Sequence, residues 1–465
     1  MRKFAITAAI LLWMAGPVSG QTNFDDFTPL VSNIPAGALP ETAPFELANP
    51  LWKQEAIAQR STQLSLGQFN TGTWDMQTVN ETGPDAGRYL FTGFETYNAG
   101  IQRTDLVNGG TTTIFQSPAP NDFIAFDASF WTPWGTYLTA EESWSNPLSD
   151  PQTQTASPYG RLFEITNPLA DPADIDIVHR DILPRVSHEG LELDAAGNFY
   201  FIDERDGGHL YRYTSATPDQ PTFFDAGQTS VLRVGDGTVD RATGAYEWIA
   251  LTDEAGNPLP GSVIVTDGNG LTALDGRATP NEAAFLGTNY NRPEDLELRT
   301  LPGGEEFLFM ASTTNDEVYA LDLAAGEIIR FADQTTIDAA TGLPVGSAFN
   351  NVDNLAVDAA GNIYIVEDQG GGAADIWFAA DADNDGVAET VARWASISTV
   401  GAEPSGLYFD PFDPNVAYVN IQHPSSGNDL TIRITAADAI PEPETMAFLL
   451  MGLAGLASAR RFRAA

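Results

Sequence analysis

Glu141 and Glu142 stand side by side at the end of an alternating strand pattern in WGTYLTAEESW (residues 134–144), with no Lys or Arg beside them. Adjacent carboxylates repel one another, so such a pair either faces water or shares a cation. The same motif recurs along the chain. HEGLELDAAGNFYFIDERDGGHLYRY (188–213) carries Glu189 before one strand and Asp203 and Glu204 after the next. VDNLAVDAAGNIYIVEDQGGGAADIWF (352–378) repeats it with Asp353, Glu367 and Asp368. Glu294 heads a further copy that ends in the polar run 312–315, and Asp122 precedes the copy that ends at Glu141 and Glu142. Oxygen ligands of this kind suit a hard cation: calcium first, with magnesium or iron as other occupants. Strand pleating sends neighbours to opposite faces, so Glu141 and Glu142 both ligate only where the strand has ended or bulges.

Other residues with chemical potential are fewer. Arg292 precedes Pro293 at a strand entrance, where its guanidinium either pairs with Glu294 or Asp295 or grips a phosphate. His188 and His423 are two of only four histidines, and a lone His is more often a hydrogen-bonded structural group than a catalyst. DADNDGVAE (381–389) has calcium-loop spacing at Asp381, Asp383, Asp385 and Glu389, but the twelfth position is Ala392, where an EF-hand needs Glu. A second calcium loop and an empty Asx turn joining two outer strands both fit it.

The elements that must position these groups are strands. Two blocks, 188–213 and 352–378, share alternating apolar strands, an Asp-x-x-Gly-Asn turn and a Gly-rich bend, weaker versions bring the copies to about six, and the 42 Gly and 30 Pro disfavour long helices. The pattern predicts an all-β chain, a six-bladed β-propeller. In a blade the first strand lines the central channel and the second runs back antiparallel. The start of the one and the end of the other therefore share a channel mouth. That geometry gathers Glu141, Glu142, Glu189, Asp203, Glu204, Glu294, Asp353, Glu367 and Asp368 around one axis.

Composition narrows the partners. With 22 Lys+Arg against 63 Asp+Glu, a formal charge of -41, nucleic acid and anionic membrane surfaces are poor partners. Cysteine is absent, which removes disulfides, thiolate ligands and a Cys nucleophile. No P-loop, GxSxG or HExxH sequence occurs. Residues 1–20 have the basic start, apolar stretch and small-residue cleavage site of a Sec signal peptide. Residues 441–465 combine Pro-Glu-Pro, a short apolar helix and three arginines, which resembles the PEP-CTERM sorting signal. That resemblance implies an exosortase-type processing partner and a place at the surface or extracellular matrix of a Gram-negative bacterium. The expected organisation is thus a leader (1–20), an N-terminal segment that closes the ring (21–80), the propeller (81–440) and the sorting segment (441–465).

Seven stretches in order, TPWGTYLTAEESW, SHEGLELD, DERDGGHLYRY, TGAYEWIAL, NRPEDLEL, DNLAVDAAGNIYIVED and VNIQHP, resemble the PhoX-type alkaline phosphatases over roughly residues 80–435. The resemblance implies an exported phosphomonoesterase with an axial site of calcium and iron acting on a small phosphorylated substrate. It implies metal ligation by Glu141, Glu142, Glu189, Glu294 and Asp353, and phosphate contact by Arg292; Glu189 and Arg292 are the expected catalytic pair. Where the family carries a Cys iron ligand this chain has Ala140, which coordinates nothing, so calcium is the expected cofactor and iron lacks that ligand. Two other readings use the same axial cation: a lactonase or esterase propeller, and a non-catalytic matrix protein that binds extracellular polysaccharide.

Overall fold

The computed structural model describes residues 22–142, 159–218, 220–266, 271–368 and 374–436. The leader (1–20) and the sorting segment (441–465) lie outside these residues. Turn chemistry sets the strand pattern. Asp194 accepts the backbone N–H of Asn198 on its side chain at 2.7 Å and that of Gly197 on its carbonyl at 3.0 Å, and Gly197 closes the turn at φ +80°. Asp358 does the same for Asn362 and Gly361, with Gly361 at φ +85°. A positive φ costs Gly least, so this residue folds each segment back on itself after a short strand.

The resulting hairpins assemble into antiparallel meanders of four strands. The first is Trp74–Val79, Tyr89–Phe94, Gly100–Asp105 and Thr111–Gln116; the second is Phe126–Trp131, Tyr137–Glu141, Leu162–Ile165 and Ile177–His179. Leu191–Leu193, Asn198–Ile202, Leu210–Ser215 and Gly227–Val234 make the third, and Pro293–Thr300, Glu306–Ser312, Glu317–Asp322 and Glu327–Ala332 the fourth. Val352–Val357, Ile363–Glu367, Asp375–Ala380 and Thr390–Ile397 form the fifth. The last takes Glu403–Phe409, Val416–Gln422 and Leu430–Thr435 from the end of the chain and Lys53–Gln59 from its beginning. First strands touch first strands all the way round, the last meeting Trp74–Val79 again. This is the radial arrangement of a β-propeller.

One boundary expected from sequence is displaced. A propeller starting at residue 81 would lose Trp74–Val79, which is the channel-lining strand of the first meander. The N-terminal segment is also stitched in on the outside. Phe24 packs edge-on and Trp52 tilted against Trp394, with ring centroids 5.6 and 5.1 Å away, and Phe409 and Tyr364 complete the cluster. Trp394 is fully buried there, its indole N–H on the Phe24 carbonyl at 3.2 Å. Replacing Trp394 with Ala is therefore expected to cost about 3–5 kcal/mol in urea unfolding. A loss under about 1 kcal/mol would show that the N-terminal segment is not part of the cooperative unit.

Candidate metal centre

Five of the six first strands share the same irregularity. Register jumps between Trp74 and Gln77, Phe126 and Ser129, Pro293 and Leu296, Val352 and Leu355, and Ser405 and Tyr408, each inserting one residue against the second strand. A bulge of this kind turns a side chain out of the regular pleat. The residues at these bulges are Asp75, Asp127, Glu294 with Asp295, and Asp353 with Asn354. In the third meander Glu189 takes the corresponding place, followed by Gly190. A Cβ on Gly190 would stand 2.3 Å from the Leu296 backbone nitrogen, so only Gly lets the third and fourth first strands approach this closely.

The paired carboxylates at second-strand ends divide by the pleat. Glu141, the last strand residue, is fully buried and turns away from the axis. Arg161 Nε and Nη2 hold its two oxygens at 2.9 and 2.6 Å, and the backbone N–H groups of Arg161 and Ile124 add donors at 3.1 and 3.3 Å. Asp203 likewise accepts Arg277 Nε and the Ser187 N–H, both at 2.9 Å. Glu367 accepts Trp377 Nε1 at 2.8 Å and the N–H groups of Asn350 and Asp375 at 3.1 and 3.0 Å. These three were expected as ligands; Glu141 and Asp203 are instead paired with arginines and Glu367 accepts three N–H groups, while Asp203 Oδ2 is buried without a hydrogen-bond partner. One residue further on, Glu142, Glu204 and Asp368 are past the strand and lie among the axial carboxylates.

Around the axis Glu189 and Asp353 have no arginine or lysine partner among the described residues, and only Glu294 of the trio is paired, with Arg292. Glu189, Glu294 and Asp353 each offer an oxygen, all within 4.8 Å of one another. Calcium–oxygen distances of about 2.3–2.6 Å allow ligands on opposite sides of one ion to stand about 5 Å apart, so these three can share a cation. Glu189 Oε2 and Asp127 Oδ1 are buried with no hydrogen-bond partner, which is costly unless a cation takes them. The described groups therefore fit an oxygen-coordinated metal. Burial raises the carboxyl pKa of Glu189 and Asp353 well above the ordinary range, and Glu294 adds to both. Burial and Glu204 push Glu294 up to about 7, against the pull of Arg292. On the opposite side Glu142 is raised by burial and by Glu95 and Glu204, while burial and Asp75 bring Glu95 to about 7.

Two cationic side chains sit at the rim. Arg292 reaches Glu204 Oε1 at 2.6 Å and Glu294 Oε1 at 3.1 Å from one nitrogen, and its side chain remains about a third exposed, at 38%. Both it and Asn291 have left-handed backbone, φ +54° and +50°, which aims the guanidinium inward from the strand entrance. Burial opposes its charge, but Glu294 and Glu204 hold its pKa above the ordinary arginine value. His423 has φ +37° and binds Glu403 through Nε2 at 2.7 Å. That contact raises its pKa to about 10. His188 is fully buried and packs against Phe201, and burial lowers its pKa to about 3, so it stays neutral.

Residues 128–425 match the family model described as alkaline phosphatase PhoX. The chain belongs to the PhoX alkaline phosphatase family. It is a phosphatase of a metal-dependent kind. Among solved structures, Pseudomonas fluorescens PhoX in complex with vanadate, a transition-state analogue, is 16% identical with a TM-score of 0.58, covering 88% of this chain and 98% of that one. At that identity the likeness concerns the fold, a β-propeller. A luciferin-regenerating enzyme is 10% identical with a TM-score of 0.44, covering 83% and 95% of the two chains. No curated protein matches the sequence. Ala140, where the family resemblance places a Cys, shares a strand face with Glu142 but is packed among Ala128, Leu138 and Leu162. In this PhoX relative the axial donors are therefore oxygens, with His423 already engaged by Glu403.

Sequence reading missed Asp75, Glu95, Asp127, Asp295 and Glu403. Asp127 was passed over for Asp122, which is exposed on the preceding loop. The pattern FDAS resembles PEDL and VDNL only once the bulge is known, since apolar–acidic pairs are common in strands. The loop at 381–389 brings Asp381, Asp383 and Asp385 within 4.8 Å. However, Arg299 Nη2 occupies Asp381 at 2.6 Å, and Glu389 accepts the Ala382 N–H at 2.9 Å, which is the bonding of a closed turn.

Two outcomes follow from this division of carboxylates. Glu141→Ala removes the carboxylate that faces Arg161 and is expected to lower stability by about 3–5 kcal/mol with cation affinity preserved, whereas Glu142→Gln should weaken cation binding with little loss of stability. Chemical denaturation and calcium titration calorimetry separate them, and identical behaviour of the two variants would refute the assignment. The raised carboxyls also fix a pH dependence. Their folded pKa values near 7 for Glu95 and Glu294 exceed the ordinary 4.5, so metal-free protein keeps its full stability below about pH 4.5 and loses it as pH rises through 7. Melting scans between pH 4.5 and 8.5 should show this fall without metal and its reversal on adding calcium.

Proposed function

We infer that the protein is an exported phosphomonoesterase working at an axial calcium centre held by Glu189, Glu294 and Asp353, with Arg292 as the phosphate-binding group. The observation that carries this reading is the contact of Arg292 with Glu294: a phosphate fork stands 3.1 Å from one member of the carboxylate trio. A divalent cation bound there supplies Lewis-acid polarisation of a phosphoryl oxygen and acidifies water. Arg292 presents parallel N–H donors that match the equatorial oxygens of an in-line displacement. Glu204 and Glu294 orient that fork, and the Thr313 hydroxyl contacts Glu294 Oε1 and lies 2.7 Å from the Val352 carbonyl, which fixes Glu294. Three protein ligands leave much of a calcium coordination sphere for water and substrate oxygens. Calcium is favoured over iron because the axial donors are carboxylates and position 140 is Ala. The Sec-type leader and the PEP-CTERM-like tail support export and surface retention.

With calcium present, the full chain should release phosphate from an aryl phosphate monoester, prefer it to the diester and to a lactone panel, and lose turnover on chelation. Glu189→Ala is expected to lower kcat/KM at least a hundredfold, about 2.7 kcal/mol. Arg292→Ala should act mainly on KM, raising it tenfold or more. If neither calcium nor iron supports hydrolysis, or if Glu189→Ala turns over like the parent, the reading is wrong. Elemental analysis of the purified protein gives the calcium-to-iron ratio directly.

A further inference from the structure

The third meander carries a strand that the ring does not need. Gly244–Ala250 adds a fifth strand outside Gly227–Val234 and crosses to the fourth meander, where Gly244 pairs with Ile328 and Ala245 with Glu327. Four strands complete a blade. The extra one places Tyr246 and Trp248 over the gap between the two meanders, beside a cleft of about 450 Å³. The cleft also includes the turn at 304–306, beyond the far end of Pro293–Thr300 from Glu294. Six strand residues separate those ends, roughly 20 Å, so the cleft is distinct from the axial centre.

Three of its donors, on Arg212, Trp248 and Tyr246, meet no protein hydrogen-bond acceptor among the described residues. The Arg212 guanidinium lies 4.8 Å over the Trp248 ring, and its Nε is buried without a hydrogen bond. Among the described residues no carboxylate pairs with Arg212, in a chain with 63 Asp+Glu and 22 Lys+Arg. The Trp248 indole N–H and the Tyr246 hydroxyl also meet no protein acceptor among the described residues. Tyr246 and Trp248 are only half-buried. Glu305 is exposed at the edge, and Glu306 is bound to the Ala195 N–H at 3.2 Å. An apolar ring face, several free donors and a carboxylate rim match a ligand with one C–H face and a girdle of hydroxyls. An anion would meet Glu305 and Glu306 and the field of the whole chain.

We propose that this cleft binds a neutral hexopyranose unit of a polysaccharide. The sugar's C–H face packs on Trp248 and Tyr246, Arg212 and the indole N–H donate to ring hydroxyls, and Glu305 accepts from another. This site is independent of the phosphatase chemistry. Affinity electrophoresis of the full chain in gels containing a β-glucan, a galactomannan or alginate tests it. Retardation is expected in at least one neutral gel and not in alginate. Trp248→Ala and Arg212→Gln should each weaken it at least tenfold, with aryl phosphate hydrolysis and its calcium dependence unchanged. Both variants are first checked for the parent's melting temperature; should Trp248→Ala fail to fold, Arg212→Gln with Tyr246→Ala decides. No retardation in any neutral gel, retardation in alginate alone, or folded variants retarded like the parent would overturn the proposal.

Discussion

Repulsion among carboxylates crowded onto one axis is the constraint on which the architecture turns. Asp75, Asp127, Glu189, Glu294 and Asp353 come from five different first strands. They meet because the ring closes, and Asp75, Asp127, Glu294 and Asp353 raise the pKa values of the carboxyls beside them. A ring of this kind is unstable against protonation or opening unless a cation neutralises it. The cohesion of the propeller core and the affinity for metal are thus opposite faces of one arrangement. Hydrophobic packing between meanders holds the carboxylates in place, and the cation offsets what that packing imposes.

A single step along the chain separates carboxylates bonded within the wall from carboxylates that face the axis. Glu141, Asp203 and Glu367 are still within the pleat or its last turn and point into walls that supply Arg161, Arg277 or Trp377. Glu142, Glu204 and Asp368 follow directly and face the axis. The tandem acids of the sequence are therefore not redundant ligands. Within each pair, the inner acid anchors the strand end from which the outer one projects. Arg292 fits the same logic from the other side. Its left-handed backbone places a cation where Glu204 and Glu294 hold it, yet leaves it partly exposed to a substrate.

Much of the fold was legible because its signals are local. Asp-x-x-Gly-Asn turns and alternating strands recur in the same order, and each can be recognised within about 25 residues. The trio Glu189, Glu294 and Asp353 was legible for the same reason, since each heads a recurring block. Three kinds of information were not local. Bulges at Trp74–Gln77 and Phe126–Ser129 decide that Asp75 and Asp127 reach the axis. Arg161 lies 20 residues beyond Glu141, and Arg277 lies 74 beyond Asp203, so neither partner shows beside its acid. The start of the ring at Trp74 rather than residue 81 depends on a strand whose repeat is too weak to read alone.

Residue types and their order by themselves determined that this chain is an acidic all-β repeat with carboxylates at strand ends, oxygen donors without thiols, and the motifs of the PhoX phosphatases. Those properties follow from side-chain chemistry and from a two-residue strand period, which any short window contains. Tertiary structure alone decided which acid of each pair faces the axis and which is bonded within the wall, because that choice rests on strand register and on donors brought from distant segments. It also decided that Tyr246, Trp248 and Arg212 share one cleft, since an extra strand must cross between meanders before those side chains can meet.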